Sequence, residues 1–421
     1  MRKALSLALL GAGCLMAVPA QGFRAGAARV EITPAADAAL PMAGYGARVE
    51  PHKGVHDSLY VRALVLDDGE RKAALVSCDI IFITNDLHAR LTERIGRETG
   101  IAPDGLLIAA THTHGAPSLG PVKPEFEARW RPWRETLEQR AAEAVRKAAA
   151  VMQPARLAVG TGKAWVNTNR RARLASGGWG LGVNPEGPSD KTVGVIRIES
   201  VSGDLIGLVI NYSVHGTVMG PRNYEITGDL PGVTARYVEE HFGDRVVALW
   251  TSGASGDQNA IYGPGTDFGR MTILGRILGE EVVKVAEQRL RTWTRVPLRT
   301  AQRVVTCPGR KLTADSKPED NKIAFEDAEP VHIRLSLLQM GPVVLAGVSG
   351  EVLTEIGARL KRESPFSHTL MVTHANGSCC YIPDDAAYAQ ESYEIWISRL
   401  KPGCAENGIV NTFLEILEGQ L

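Results

Sequence analysis

Aromatic residues are scarce in this chain, 6% of 421 positions, and neither sign of charge prevails, with 47 Lys and Arg against 47 Asp and Glu. Without a basic field, neither nucleic acid nor an anionic lipid surface is an expected partner. Cysteine is equally sparse: six residues without a CxxC pair, which argues against a cysteine-built zinc site and against a fold stapled by disulfides. A bridge from Cys404 to Cys379 or Cys380 suits an oxidising compartment, and an odd number of cysteines beyond Cys14 means that not all of them pair within the chain. After the N-terminal segment no uncharged apolar run reaches the ~20 residues of a membrane span. No repeat period, low-complexity tract or Pro/Gly/Ser-rich linker divides residues 24–421, so a single domain is expected.

The N-terminus does carry an apolar run. Arg2 and Lys3 precede Ala4 to Met16, and Val18-Pro19-Ala20 sets small residues before a cut near position 20, the pattern of a secretory signal. A soluble exported protein, periplasmic or secreted, is expected, with a mature charge of about −2. Gly11-Ala12-Gly13-Cys14 has the look of a lipoprotein site but lacks the usual Leu three residues before the cysteine, so lipidation is the lesser expectation.

Several runs read as strands. Tyr60 to Leu66 and Ala73 to Ser77 are joined at Asp68-Gly69, and Val193 to Glu199 and Leu205 to Tyr212 are joined around Ser202-Gly203, as in hairpins. Helices are expected from a cap at Asp86 to Thr99, and where Met271, Leu274, Leu278, Val282 and Val285 keep three-and-four spacing. Arg129-Trp130-Arg131-Pro132-Trp133-Arg134 reads as the entry to a surface helix reaching about Ala150, tryptophans inward and arginines solvated. Hairpins mixed with strand-to-helix units imply an α/β fold: mixed sheets flanked by helices, with the site at the carboxyl ends of strands.

Four apolar runs end in loops rich in ligand-type side chains. Leu106 to Ala110 leads into Thr111-His112-Thr113-His114, and Leu205 to Asn211 into Val214-His215-Gly216. Val343 to Gly347 leads to Ser349-Gly350-Glu351, and Leu370 to Val372 to His374-Ala375-Asn376-Gly377 and then Tyr381. Each piece alone has a bland reading as a satisfied histidine or a helix-capping acid. Two histidines and a carboxylate with an open position are nonetheless what a catalytic zinc needs, since zinc brings the pKa of a bound water to about 7. Thr227-Gly228-Asp229 and Gly256-Asp257-Gln258-Asn259 read as turn and cap chemistry. Asn169-Arg170-Arg171 reads as a solvated pair or as a clamp for an oxyanion, and Asp79 as a partner orienting a ligand histidine.

In order along the chain, Ala43-Gly44-Tyr45-Gly46, Gly54-Val55-His56-Asp57, Ala110-Thr111-His112-Thr113-His114, Val214-His215-Gly216, Thr227-Gly228-Asp229 and Ser349-Gly350-Glu351 resemble the catalytic domain of the neutral/alkaline, non-lysosomal ceramidase family. The resemblance runs from about Ala25 onward. It implies zinc (Zn2+) held by His112, His215, Glu351 and Tyr381, with His114, Arg170 and Tyr393 around the scissile amide. Two departures stand out: the family's Gly-Asp-Val-Ser-Pro-Asn is shortened to Gly256-Asp257-Gln258-Asn259, without its serine, and no C-terminal immunoglobulin-like domain is expected. The implied function is hydrolysis of an N-acyl amide in a lipid or small-molecule substrate by a metal-activated water. An ester or acylated sugar substrate, or a non-catalytic binding protein on the same scaffold, are the alternatives.

Overall fold

The computed structural model describes residues 22–175, 177–317 and 323–419. The expected signal segment and Cys14 lie outside them. Twelve principal strands fall into three units of four. The first holds Arg24–Glu31, Tyr60–Asp67, Lys72–Cys78 and Leu106–Ala110; the second Gln153–Lys163, Thr192–Ser200, Leu205–Tyr212 and Val247–Ser252; the third Leu298–Leu312, Phe325–Met340, Val343–Val348 and His368–Val372. Within every unit the spatial order follows the chain, the first three strands antiparallel and the fourth parallel to the third. A parallel neighbour requires a crossover. A helix supplies it each time, Asn85–Thr99, Asp229–His241 and Thr354–Glu363, and a second helix follows the fourth strand at Pro124–Ala150, Phe268–Ala286 and Ala405–Glu418. This threefold repetition lives in topology; the sequence shows no repeat period that would reveal it.

Alternation along the strands explains how the units pack. Leu64 and Leu66 of the first unit, Ile196 and Val209 of the second, and Leu338 and Leu345 of the third share one central core. Residues on the opposite faces meet the helices: Val65 with Leu91 and Leu137, Ile210 with Leu278, Leu337 with Ile409. Sheets covered on both faces require nearly continuous apolar strands, which is why these runs stood out in the sequence. The first two units are also joined edge to edge by Arg24↔Pro154 and Ala25↔Gln153, giving a nine-stranded sheet that includes the short Thr292–Trp293 strand. The expected α/β architecture is present, with both expected hairpins and the Met271-to-Val285 helix face buried.

Several local expectations are corrected. The first crossover helix is capped by the Thr84 hydroxyl, which accepts from the Leu87 amide, while Asp86 sits in the first turn. Trp133 is inward as expected, but so is Arg134, which donates to the Leu119 carbonyl at 2.7 Å and to Asp86 at 2.9 Å. Cys404 pairs with Cys307, leaving Cys379 and Cys380 as free thiols. Asp79 does not touch a histidine. It accepts from the buried Arg62 guanidinium at 3.0 Å, and Arg62 in turn reaches Glu239 at 2.8 Å, tying a strand of the first unit to the crossover helix of the second. Burial alone would lower the Arg62 pKa, but Glu239 and Asp79 outweigh it and hold the charge.

Removing one member of such a cluster strands the others in a medium that solvates them poorly. Glu239→Leu is expected to lose about 3–5 kcal/mol in urea denaturation. A loss below about 1 kcal/mol would show that the cluster does not hold the two units together.

Candidate metal centre and active site

The parallel strand pairs aim their carboxyl ends at one end of the molecule, where loops of all three units meet. Past Ala110 the chain turns at His112, whose φ of 63° is left-handed, and the His112 amide donates to the Ile80 carbonyl at 3.0 Å. The His112 Nδ1 lies 2.6 Å from the Ile81 carbonyl, and the His215 Nδ1 lies 2.8 Å from the Ser255 carbonyl. Each carbonyl can only accept, so Nδ1 carries the proton and Nε2 presents a lone pair. Gly216 permits the approach of the two loops: a Cβ there would sit 2.8 Å from the His112 carbonyl oxygen. Its own carbonyl accepts from the His114 amide at 3.0 Å.

Glu351 enters from the third unit, its strand residue paired with Tyr381. Its Oε2 stands 3.5 Å from the His112 Nε2 and 3.2 Å from the His215 Nε2. Among the described residues neither Glu351 Oε2 nor His215 Nε2 has a hydrogen-bond partner. Four ligands at about 2.0–2.2 Å in tetrahedral array have edges of about 3.3–3.6 Å, so these separations suit a zinc-sized ion. Burial holds the pKa of His112 down, and that of His215 well down, which favours the neutral, ligating form. The ligand atoms of His112, His114 and His215 fall within 4.8 Å of one another, and so do those of His112, Glu351 and His374. The donor set fits a divalent cation.

Tyr381 lies at the start of a two-residue strand, in register with Glu351. Burial and the nearby Glu351 carboxylate raise its pKa, and its hydroxyl accepts from the Arg170 Nη2 at 3.0 Å. Arg170 is buried in the Asn167–Arg173 strand, as is Arg171, so the solvated reading of that pair is corrected. Glu394 explains why: Arg170 Nε donates to it at 2.7 Å, and the Ser392 hydroxyl, itself holding Arg171, donates to it at 2.8 Å. Tyr393 packs with its ring centre 5.8 Å from that of Tyr381. His114, Arg170, Tyr381 and Tyr393 together line a cavity of about 280 Å³, walled on its apolar side by Tyr45 and Leu181. Gly44 has φ of 95°, and a Cβ on it would come within 2.3 Å of the His114 Nδ1, so this glycine lets Tyr45 cover the histidine.

All seven residues singled out from the sequence thus gather around one site. Three further residues beside the site were not singled out. His374 was noticed only as part of a loop; it stacks on His112 at 3.8 Å with 10° between the rings, and its buried Nε2 has no hydrogen-bond partner among the described residues. Thr111-His112 and Thr373-His374 follow the fourth strands of two units, both histidines left-handed, so the strand-end Thr-His pair was the available signal. Asn259 was read only within the Gly256-Asp257-Gln258-Asn259 turn and Glu394 only as the neighbour of Tyr393, because their partner Arg170 is remote in sequence. The Gly-Asp loops do cap and turn. Asp257 accepts from the amide and hydroxyl of Thr354 at the third crossover helix, and Asp229 accepts from the Val218 and Met219 amides behind His215.

The model of the family described as neutral/alkaline non-lysosomal ceramidase, N-terminal, matches residues 23–263. The chain belongs to this family. Among curated relatives, neutral ceramidase A of Dictyostelium discoideum is 28% identical over 223 residues, 48% of this chain and 29% of its own length. Neutral ceramidase of Pseudomonas aeruginosa is 26% identical over 242 residues, 52% of this chain and 34% of its own. The chain therefore spans about a third of the length of the curated relatives it matches. The crystal structure of neutral ceramidase from Pseudomonas aeruginosa shares the fold, with a TM-score of 0.80 at 18% identity over 95% of this chain and 74% of that one. The fold likeness extends beyond the family match and takes in the segment that carries Glu351, Tyr381 and Tyr393.

Burial holds His374 well below its ordinary value of 6.5. A group whose folded pKa is depressed lends stability that is complete above its unfolded pKa and is lost as pH falls toward the folded value. His374→Leu is accordingly expected to make the Tm of metal-free protein less sensitive to pH between 7 and 5. An unchanged slope would show that this histidine titrates freely.

Proposed function

We propose that this ceramidase-family chain is a zinc-dependent amidohydrolase that cleaves an N-acyl linkage in a ceramide-like or related substrate. The observation that carries the reading is the Glu351 Oε2 set 3.5 and 3.2 Å from two imidazole nitrogens whose far sides are anchored to carbonyls. His112, His215, Glu351 and Tyr381 are assigned to the ion. Bound there, zinc supplies a Lewis acid and a water that ionises near neutral pH.

The remaining residues divide the other work. His114 is kept neutral, first by burial and then by the neighbouring histidines, so its Nε2, 3.4 Å from that of His112, is free to take a proton during attack and return it to the leaving nitrogen. Arg170 keeps its charge because Tyr381 and Glu394 outweigh the cost of burial, and with the Tyr393 hydroxyl it donates to the carbonyl oxygen as negative charge grows there. Glu394 fixes the guanidinium in advance, which spares reorganisation at the moment of reaction. Ser252 and Ser255 are wholly buried and do not line the cavity, which favours water over a serine nucleophile. We assign the work to an exported enzyme: the N-terminal segment reads as a signal, and the Cys307–Cys404 disulfide suits an oxidising compartment. No helix among the described residues is long and apolar enough to cross a membrane. An ester or acylated sugar would meet the same groups, and a substrate screen spanning N-acyl lipids, esters and acylated amino sugars separates these from amide cleavage.

One zinc per chain is expected, lost from His112→Ala and His215→Ala after dialysis and only weakened in Glu351→Gln, as read by metal mass spectrometry. Stoichiometric zinc in both alanine variants would mean the ligands are misassigned. Ser255→Ala should lower kcat by far less than the 10²-fold or more that loss of a nucleophile brings, and intact-mass spectra should show no acyl-enzyme. A covalent adduct on Ser252 or Ser255, or turnover without zinc, would overturn the mechanism.

A further inference from the structure

Asn259 lines the cavity beside Arg170 but has no part in the chemistry described above. It sits on the short Gln258–Ala260 strand, paired with Thr168 across from Arg170's own strand, and is 7% exposed. Its Oδ1 accepts from the Arg170 Nη1 at 3.4 Å and from the Thr217 hydroxyl at 3.3 Å. A guanidinium can only donate, so the amide has one permissible orientation: oxygen toward Arg170, and Nδ2 with its two N–H groups turned away from it.

The rest of the lining agrees with that direction. None of the cavity's residues is acidic. The carboxylates behind it are otherwise engaged: Glu394 by Arg170 and Ser392, Asp257 by Thr354 and Asn169, Asp229 by the Val218 and Met219 amides, and Glu351 by its assignment to the ion. Donors therefore face the space from three of these side chains, the Arg170 guanidinium, the Tyr393 hydroxyl and the Asn259 amide, while the Thr217 hydroxyl spends its one proton on the Asn259 Oδ1. A cavity built this way favours an oxygen acceptor over an ammonium group, to which it offers no carboxylate.

We propose that Asn259 is a substrate- and product-binding residue whose Nδ2 donates to an acceptor oxygen, and that with Arg170 it makes the cavity a site for the carboxylate released by hydrolysis. Thr217 is the positioning residue that helps to hold the Asn259 amide in this orientation. The Gly256-Asp257-Gln258-Asn259 loop brings the donor to the cavity, whose lining includes no serine. The role of product site rests on the hydrolase reading; the preference for acceptors rests on the side chains alone.

Hexanoate and hexylamine, titrated calorimetrically into metal-loaded protein, serve as probes of opposite charge and equal chain length. Hexanoate should bind and hexylamine should not. Asn259→Asp is isosteric and keeps an oxygen toward Arg170 and Thr217 but replaces the donor with an anion, so hexanoate affinity should fall about 10- to 100-fold with zinc content unchanged. Thr217→Val should weaken binding less, and Thr217→Ser should restore it. Equal affinity for the two probes, or hexanoate binding within twofold of wild type in both Asn259→Asp and Thr217→Val, would overturn the proposal. Absence of amide turnover with the binding pattern intact would instead count against the hydrolase reading.

Discussion

The site turns on one electrostatic conflict. Glu351 directs a carboxylate oxygen at two imidazole nitrogens that present lone pairs, with all three groups largely out of water. A carboxylate oxygen 3.5 and 3.2 Å from two lone pairs is repelled by both unless positive charge lies between them. A proton on either ring is disfavoured, because burial holds both histidines below their ordinary pKa and the rings already spend their donors on the Ile81 and Ser255 carbonyls. A divalent cation resolves the conflict, and the surrounding chain keeps the ligands from relaxing away from it.

That rigidity comes from the three-unit architecture. His112 hangs from the fourth strand of the first unit, His215 from the third strand of the second, and Glu351 from the third strand of the third. No unit holds more than part of the set, so the site exists only when the three sheets share their central core. The Arg62, Asp79 and Glu239 cluster serves the same end, locking the first unit to the second directly behind the ligand loops. On the opposite side Glu394 does for Arg170 what the carbonyls do for the histidines. It occupies one face of a charged group so that the other is presented in a fixed direction.

Much of this was legible in the chain. Apolar runs ending in His112, His215 and Glu351 marked the strands and the residues that gather at their ends, because strands buried on both faces are continuous in sequence and their ends are abrupt. Order along the chain, more than any single motif, pointed to the family. What could not be read was whatever depends on remote pairing. Arg134 and Arg171 look like solvent-facing charges until Asp86 and Ser392 are brought beside them. Asp79, like His112, follows a strand end, yet it turns to Arg62. The threefold topology is invisible because each unit fills its core with different residues, leaving only the paired Thr-His of Thr111-His112 and Thr373-His374 as a trace.

Diffraction from zinc-loaded crystals at the zinc absorption edge addresses the metal centre directly. One anomalous peak is expected within about 2.0–2.2 Å of the His112 Nε2, the His215 Nε2 and a Glu351 oxygen, with Tyr381 at the fourth position. A peak elsewhere, or none at this cluster in protein that retains its zinc, would contradict the assignment.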